Sequence, residues 1–122
     1  MKTGLVIEDN EDNMVLITRY LQKFGYRTIR AETGNKGYEM AIEMKPDFII
    51  LDIQLPDIDG TEVLKKIRAS EEGKAIPVIA MTSYAMMGDR EKLLAAGCNG
   101  YIEKPIDPKT FMAHVERYFT GK

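Results

Sequence analysis

The stretch Phe48-Ile49-Ile50-Leu51-Asp52 decides the fold, because four apolar residues in succession end on a single acid. Gly4-Leu5-Val6-Ile7 leads into Glu8-Asp9 in the same way. Strands that are apolar on both faces are typical of a parallel sheet with helices on both sides. In open sheets of this kind, ligands bind beyond the carboxyl ends of the strands. The sequence therefore predicts a buried parallel sheet with Glu8, Asp9 and Asp52 near one edge.

Strand and helix patterns alternate five times along the chain. Apolar residues recur at helical spacing between the strands and after the last one. Asp107 and Pro108 suit the start of the final helix, as N-cap and first helical residue. Gly25 and Gly97 suit the ends of two others. Strands are predicted at Thr3–Ile7, Tyr26–Ala31, Phe48–Asp52, Pro77–Thr82 and Gly100–Ile102.

The composition of the strands predicts their order in the sheet. The first, third and fourth strands are almost continuously apolar and suit its centre. The second strand alternates polar and apolar residues over 26–30, and the fifth is short, so both suit edges. Right-handed crossovers then give the order 2-1-3-4-5. This is a five-stranded parallel α/β sheet in a three-layer sandwich of the flavodoxin-like type, whose ligand crevice lies between strands 1 and 3.

Length and composition narrow the class of protein. The 122 residues fit one domain with a single core, which we expect to span residues 1–122. The net charge of -2 gives no reason to expect nucleic acid, and Lys65, Lys66 and Arg68 are interpreted as one solvated helix face. No apolar run approaches the ~20 residues of a membrane span. With no charged-then-apolar leader, we expect a cytoplasmic protein without membrane contact.

Two kinds of ligand could occupy the crevice. A mononucleotide site needs a loop rich in glycine and hydroxyl residues, whose backbone N–H groups face a phosphate. The loop here is Glu8-Asp9-Asn10-Glu11-Asp12, which would repel a phosphate, so flavin or nucleotide binding is disfavoured. Carboxylate oxygens with retained waters suit Mg²⁺. The sequence therefore favours a divalent metal held by Glu8 and Asp9.

The remaining strand ends predict phosphoryl chemistry. Thr82 ends the fourth strand, and Lys104 follows the fifth. Phosphoryl transfer needs an in-line nucleophile, a metal bridging phosphoryl oxygens, and donors for the other oxygens. Asp52 can be the nucleophile and form an acyl phosphate. Thr82 and Lys104 can each hold one phosphoryl oxygen.

The loop after the third strand is rich in turn residues. Asp57, Asp59 and Gly60 are expected to shape this loop and to cap the helix that follows it. Cys98, the single cysteine, is expected to be a buried structural thiol.

Four motifs in order resemble those of a response-regulator receiver domain of two-component signalling, a member of the CheY-like superfamily. The resemblance runs from near residue 3 to about residue 119. Asn10, Asn13 and the loop after Asp52 are most similar to DivK-type single-domain regulators and to hybrid-kinase receivers. The motifs are Val6-Ile7-Glu8-Asp9-Asn10, Leu51-Asp52-Ile53-Gln54-Leu55-Pro56-Asp57-Ile58-Asp59-Gly60, Ile79-Ala80-Met81-Thr82-Ser83 and Tyr101-Ile102-Glu103-Lys104-Pro105.

The resemblance implies a metal site and an acceptor. Asp52 would accept phosphate from a histidine of a sensor histidine kinase or a histidine phosphotransfer protein. Asp9, Asp52 and the backbone carbonyl of Gln54 would bind Mg²⁺. Glu8 stands where many members of the family carry Asp, and it would act on the metal through a water molecule. Lys104 would contact the phosphate.

The resemblance also implies a switch. Thr82 would move toward the phosphate while the ring of Tyr101 moves inward. The Lys104-Pro105 bond would be cis, as in the family. Gln54 and Tyr84 occupy positions that tune hydrolysis of the acyl phosphate, and the bulk of Tyr84 would slow it.

The implied output is a surface and not a reaction. A downstream protein would bind the fourth helix, fifth strand and fifth helix, where Tyr84, Met86 and Met87 would form an apolar patch. We expect no dedicated enzyme and, from the length of the sequence, no attached DNA-binding module. The protein is expected to be a monomer or a dimer that forms on phosphorylation.

Other functions are weaker alternatives. Phosphatases of the haloacid-dehalogenase kind also use a strand-end Asp and Mg²⁺, but they need a second Asp where Gln54 stands. A receiver excised from a hybrid kinase would have identical chemistry. A scaffold that works without phosphorylation would not need the complete acceptor site.

Overall fold

The structure is a computed structural model that describes residues 2–83, 87–104 and 106–119; at 87–90, 108, 118 and 119 it describes the backbone alone. Strands and helices alternate along the chain, as the sequence predicts. The predicted strands differ from the observed ones by at most one residue at either end. The elements are β1 Thr3–Ile7, α1 Glu11–Lys23, β2 Arg27–Ala31, α2 Gly34–Met44, β3 Phe48–Asp52, α3 Gly60–Ala69, β4 Val78–Thr82, α4 Met87–Ala96, β5 Gly100–Glu103 and α5 Pro108–Phe119.

All five strands form one parallel sheet in the order β2-β1-β3-β4-β5. The predicted order is therefore confirmed. In register, Ile7 lies beside Leu51 and Asp52 lies beside Met81. The acids that follow β1 and end β3 are consequently neighbours at the same edge of the sheet.

Alternation along the strands divides the core into two layers. Leu5, Ile49 and Ala80 belong to the layer covered by α2, α3 and α4. Val6 and Ile50 belong to the layer covered by α1 and α5. Strands with both faces covered must be apolar throughout, which is why β1, β3 and β4 read as continuous apolar runs.

Short-range signals fix the ends of the helices as the sequence predicts. The Asp107 carboxylate accepts a hydrogen bond from the N–H of Lys109, and α5 begins at the next residue after Asp107. Gly25 and Gly97 follow α1 and α4 with φ of 92° and 114°, where any residue with a Cβ is strained. Cys98 is a buried free thiol, as expected.

Arg68 corrects one prediction about the surface. Lys65 and Lys66 are exposed, but Arg68 is half-buried at the carboxyl end of α3. Its guanidinium donates to the carbonyls of Gly97, Gly73 and Ile76 and to the side chain of Asn99, at 2.7 to 2.9 Å. The spacing of charges along the helix predicted that Arg68 would be exposed like Lys65 and Lys66. Such spacing carries no information about loops that fold over the end of a helix.

No helix among the described residues combines the length and the apolar character that crossing a membrane requires.

Candidate phosphoacceptor and metal site

Three carboxylates converge where β1 and β3 end. One oxygen from each of Glu8, Asp9 and Asp52 lies within 4.8 Å of the other two. The convergence follows from the register, because Glu8 comes directly after Ile7, the partner of Leu51. The predicted gathering of these acids at one edge of the sheet is thus observed.

Asp52 is held by two donors. Lys104 Nζ lies 3.1 Å from Asp52 Oδ1, and the backbone N–H of Gln54 donates to the same oxygen at 3.0 Å. Asp52 is about 1% exposed. Because both donors take Oδ1, the carboxylate is fixed in orientation.

Glu8 is a buried acid in an unfavourable environment for negative charge. It is 1% exposed, and among the described residues its Oε1 has no hydrogen-bond partner. Its Oε2 accepts a hydrogen bond from the N–H of Asn10 at 3.1 Å, and Lys104 Nζ lies 3.7 Å from Oε1. The pKa of Glu8 is raised to about 7, chiefly by burial and also by the neighbouring Asp52, while the Asn10 N–H and Lys104 oppose the shift.

These features fit a hard divalent cation. Glu8 Oε1, which no group of the described residues hydrogen-bonds, lies next to two more carboxylates and can be satisfied by Mg²⁺, which takes oxygen ligands and retains several waters. Asp9 is exposed, so its side of the site is open to solvent and to an entering ion. Mg²⁺ is the cofactor that this donor set suits.

Gln54 reaches the site through its backbone. Its side chain is exposed, while its N–H points to Asp52. The backbone of Gln54 thus contacts the Asp52 carboxylate, in a loop that leaves β3 without regular structure.

Thr82 and Lys104 are brought to the same edge of the sheet. Thr82 is 3% exposed and follows Met81, the register partner of Asp52. The N–H of Lys104 donates to the carbonyl of Thr82 at 2.8 Å, which sets the start of the lysine side chain.

Tyr101 lies on β5 beside Ala80 and packs, half-buried, against the α2–α4 layer. The sequence predictions also concern four residues that the structure does not describe in full. Tyr84, Met86 and Pro105 lie outside the described residues, and so does the side chain of Met87.

Lys104 also borders a cavity of about 530 Å³ that was not predicted from the sequence. Asn13 and Leu16 from α1 line this cavity together with Ser83 and Ile106. Asn13 lies four residues after Asp9, in the first turn of a helix that begins next to the acids. That spacing is the signal that could have identified it.

The arrangement can support attack by a carboxylate on phosphorus. A fixed carboxylate, a site for a divalent cation and an amine supply the nucleophile and most of the charge that a transferring phosphoryl group needs. Mg²⁺ would neutralise the phosphoryl oxygens during transfer.

Comparisons with known proteins agree with this chemistry. The profile of the response regulator receiver domain matches residues 5–116. The polar-differentiation response regulator DivK of Brucella ovis is 43% identical over 117 residues, which cover 96% of this chain and 95% of that protein. DivK of Brucella anthropi is 42% identical over the same shares.

Solved structures give the same result. The receiver domain of the sensor histidine kinase PA1611 from Pseudomonas aeruginosa, with magnesium in its active-site cleft, matches with a TM-score of 0.90 at 34% identity. The match covers 98% of each chain. Vibrio cholerae CheY4 matches with a TM-score of 0.92 at 25% identity, over 97% of this chain and 98% of that one.

The family assignment fixes the general role. Receiver domains are phosphoacceptors of two-component signalling, and they interact with histidine kinases and downstream effectors. They are signalling modules and not dedicated enzymes. The profile match, the identity to DivK and the acidic cleft together show that this chain belongs to the response regulator receiver domain family.

Proposed function

We propose that Asp52 accepts a phosphoryl group from a phosphohistidine of a sensor histidine kinase or a histidine phosphotransfer protein. Glu8, Asp9, Asp52 and the carbonyl of Gln54 would hold Mg²⁺, with Glu8 acting through a water molecule. Residues 1–122 would act as one receiver domain.

The proposed step balances within the site. An oxygen of Asp52 forms a bond to phosphorus while the phosphorus–nitrogen bond to the donor imidazole breaks. The imidazole nitrogen keeps the bonding electron pair, and the departing ring is neutral histidine because the other ring nitrogen of the donor phosphohistidine carries a proton. Lys104 and Thr82 then donate hydrogen bonds to oxygens of the acyl phosphate.

One observation carries this proposal. The Nζ atom of Lys104 lies 3.1 Å from Asp52 Oδ1 at the point where three carboxylates meet. Of the two buried acids beside Lys104, Asp52 is the nearer, so the amine lies where it would compensate the negative charge of a phosphoryl group on Asp52.

Replacing the acceptor tests the proposal. Asp52→Asn should not be phosphorylated by acetyl phosphate, whereas Asp59→Asn should be labelled as wild type is. Asp59 is the matched control because it lies in the same loop and caps α3, and asparagine caps equally well. Intact mass, with the modification removed by hydroxylamine, reports an acyl phosphate. Retained labelling of Asp52→Asn would place the acceptor elsewhere.

The metal role has its own test. Calorimetric titration of wild type with magnesium chloride should show one site, and Asp9→Asn should weaken it. Chelation by EDTA should stop labelling by acetyl phosphate. Labelling that is indifferent to the chelator would remove Mg²⁺ from the proposed step.

The proposed switch acts through Thr82 and Tyr101 on the surface of α4, β5 and α5. A groove of about 380 Å³ lies on the β5 and α5 part of this surface, and its lining includes Tyr101, Glu103, Phe111 and Arg117. Beryllofluoride with Mg²⁺ should shift the amide resonances of β5 and α5 in wild type. Tyr101→Ala should keep beryllofluoride binding but reduce those shifts, and undiminished shifts would exclude Tyr101 from the switch.

Partner choice and assembly remain part of the proposal. A pull-down in the presence and absence of beryllofluoride should enrich the downstream protein when the analogue is bound. Sedimentation under the same two conditions distinguishes a monomeric switch from one that dimerises on phosphorylation.

The acyl phosphate would also be lost by the chain's own slow hydrolysis. The decay of labelled protein over time measures this loss, and decay within seconds would contradict it.

A further inference from the structure

Asp57 makes a contact that its place in the chain does not predict. It lies in the loop between β3 and α3, yet its carboxylate accepts hydrogen bonds from the N–H groups of Gly34 at 2.8 Å and Asn35 at 2.9 Å. These are the first two residues of α2, more than 20 positions earlier in the sequence. Asp57 was expected to shape its own loop, and only its neighbour Asp59 caps α3.

The contact completes the hydrogen bonding of the N–H groups at the start of α2. Thr33, the N-cap of this helix, already accepts a hydrogen bond from the N–H of Lys36 with its side chain. Its carbonyl accepts one from Gly37. Asp57 therefore supplies acceptors for the two N–H groups that the local sequence leaves unbonded, at the end of the helix that favours negative charge. The N–H groups of Asn35 and Gly34 lower the pKa of Asp57, so it stays ionised.

The loop and the helix are in close contact at this point. A Cβ on Gly34 would lie 2.7 Å from Ile58 Cγ1 and from Val63 Cγ2, and 3.3 Å from Asp57 Oδ1. Only glycine lets the backbone of α2 approach the loop this closely. The residue that receives one of the hydrogen bonds is thus also the residue that permits the contact.

The same loop carries the groups that would bind the metal. Its first part is fixed to the sheet, since Ile53 donates to the carbonyl of Met81 at 3.1 Å and Gln54 donates to Asp52. Its last part is fixed where Gly60 donates to the carbonyl of Ile53 at 2.8 Å. Asp57 ties the middle of the loop to α2, three residues beyond Gln54.

We propose that Asp57 is a positioning residue for the metal site, which holds the loop after Asp52 against α2 so that the Gln54 carbonyl is presented in a fixed place. The inference rests on the proposed role of that carbonyl as a ligand. In this role Asp57 would act through the loop and would not itself bind the metal or the phosphoryl group. Residues that orient ligands in this way commonly change metal affinity by an order of magnitude.

Two variants separate positioning from helix capping. Asp57→Ala releases the loop and removes two acceptors from α2. Thr33→Ala removes the acceptor that α2 supplies for itself and leaves the loop attached. Both should lower the stability of the protein, but only Asp57→Ala should weaken magnesium binding, by roughly tenfold in Kd as measured by calorimetry. Asp57→Asn, which keeps one acceptor oxygen, should recover part of the loss.

A second measurement does not depend on the metal. In EDTA, amide hydrogen exchange over residues 53–58 should be faster in Asp57→Ala than in Thr33→Ala.

The outcomes are distinct. Wild-type affinity for magnesium in Asp57→Ala would overturn the positioning role and leave the proposed function intact. If Thr33→Ala weakened magnesium binding equally, the effect would come from the stability of α2, and the positioning role of Asp57 would also be overturned. A wild-type protein that binds no magnesium would overturn the proposed metal site and this inference together.

Discussion

Lys104 is the counter-charge of two buried acids, since its Nζ lies 3.1 Å from Asp52 Oδ1 and 3.7 Å from Glu8 Oε1. The lysine side chain is 15% exposed, so water screens these contacts only in part. Removing one partner of a buried ion pair leaves an uncompensated charge, which costs more than an exposed pair contributes.

Lys104→Met should therefore destabilise the metal-free protein by roughly 2 kcal/mol at pH 8. The loss should shrink at pH 5, where Glu8 is protonated, and in saturating magnesium, which supplies replacement positive charge. Urea unfolding under the three conditions measures it. Lys74→Met is the control, because its pair with Glu71 is exposed and of little consequence. Equal losses in the two variants would mean that Lys104 compensates no buried charge.

The raised pKa of Glu8 predicts a dependence of stability on pH. The folded state binds this proton more tightly than the unfolded chain, where the pKa is 4.5. The stabilising contribution is therefore complete below pH 4.5 and is lost as pH rises through about 7. In EDTA, wild type should lose stability relative to Glu8→Gln across this window, by at most about 1.4 kcal/mol per pH unit. Parallel stability curves for the two proteins would show that Glu8 titrates normally.

Arg68 predicts a structural effect remote from the acidic site. Arg68→Ala removes four hydrogen bonds and leaves the carbonyls of Gly73 and Ile76 without this donor. We expect a loss of about 3 kcal/mol in the free energy of unfolding. Lys65→Ala, on the exposed face of the same helix, should lose almost nothing. Magnesium affinity should be unchanged in both, and weaker binding by Arg68→Ala would contradict the separation of the two regions.

The close surroundings of Gly60 predict that a larger residue there would clash with the backbone of the loop after Asp52. A Cβ here would lie 2.4 Å from Ile53 Cα and 2.8 Å from the Asp52 carbonyl oxygen, both backbone atoms that cannot rotate away. Gly60→Ala should cost roughly 3 kcal/mol and displace the start of the loop. Gly25→Ala is the control, because a Cβ there meets nothing within 4 Å and only the positive φ opposes it, at about 1 kcal/mol. A smaller loss at Gly60 than at Gly25 would refute the close approach.

The sheet and the position of its acids could be predicted because both depend on local pattern. Apolar runs over β1, β3 and β4 indicate strands covered on both faces, and parallel strands carry their carboxyl ends to one edge. Glu8 and Asp52 meet for this reason, so their proximity needed no knowledge of loop structure. The motif around Lys104 then completed the prediction of a phosphoacceptor site.

Contacts made across loops could not be predicted. Asp57 reaches α2 only because Gly34 admits the loop, and Arg68 is half-buried only because two turns fold over the end of α3. The raised pKa of Glu8 has the same origin, since burial is a property of the packed molecule. Residue spacing along one element carries no information about such approaches.

The division of the core into two layers has a consequence for signalling. Continued alternation assigns Asp52, two residues after Ile50, to the α1–α5 side of the sheet. It assigns Thr82, two residues after Ala80, to the opposite side, where Tyr101 also packs. The proposed phosphoacceptor and the hydroxyl proposed to contact its phosphate therefore lie on different sides of the sheet. The proposed movement of Thr82 toward a phosphoryl group on Asp52 would displace residues on the α4 side while the chemistry takes place on the other side. A covalent change on one face of the sheet would in this way alter the shape of the opposite face.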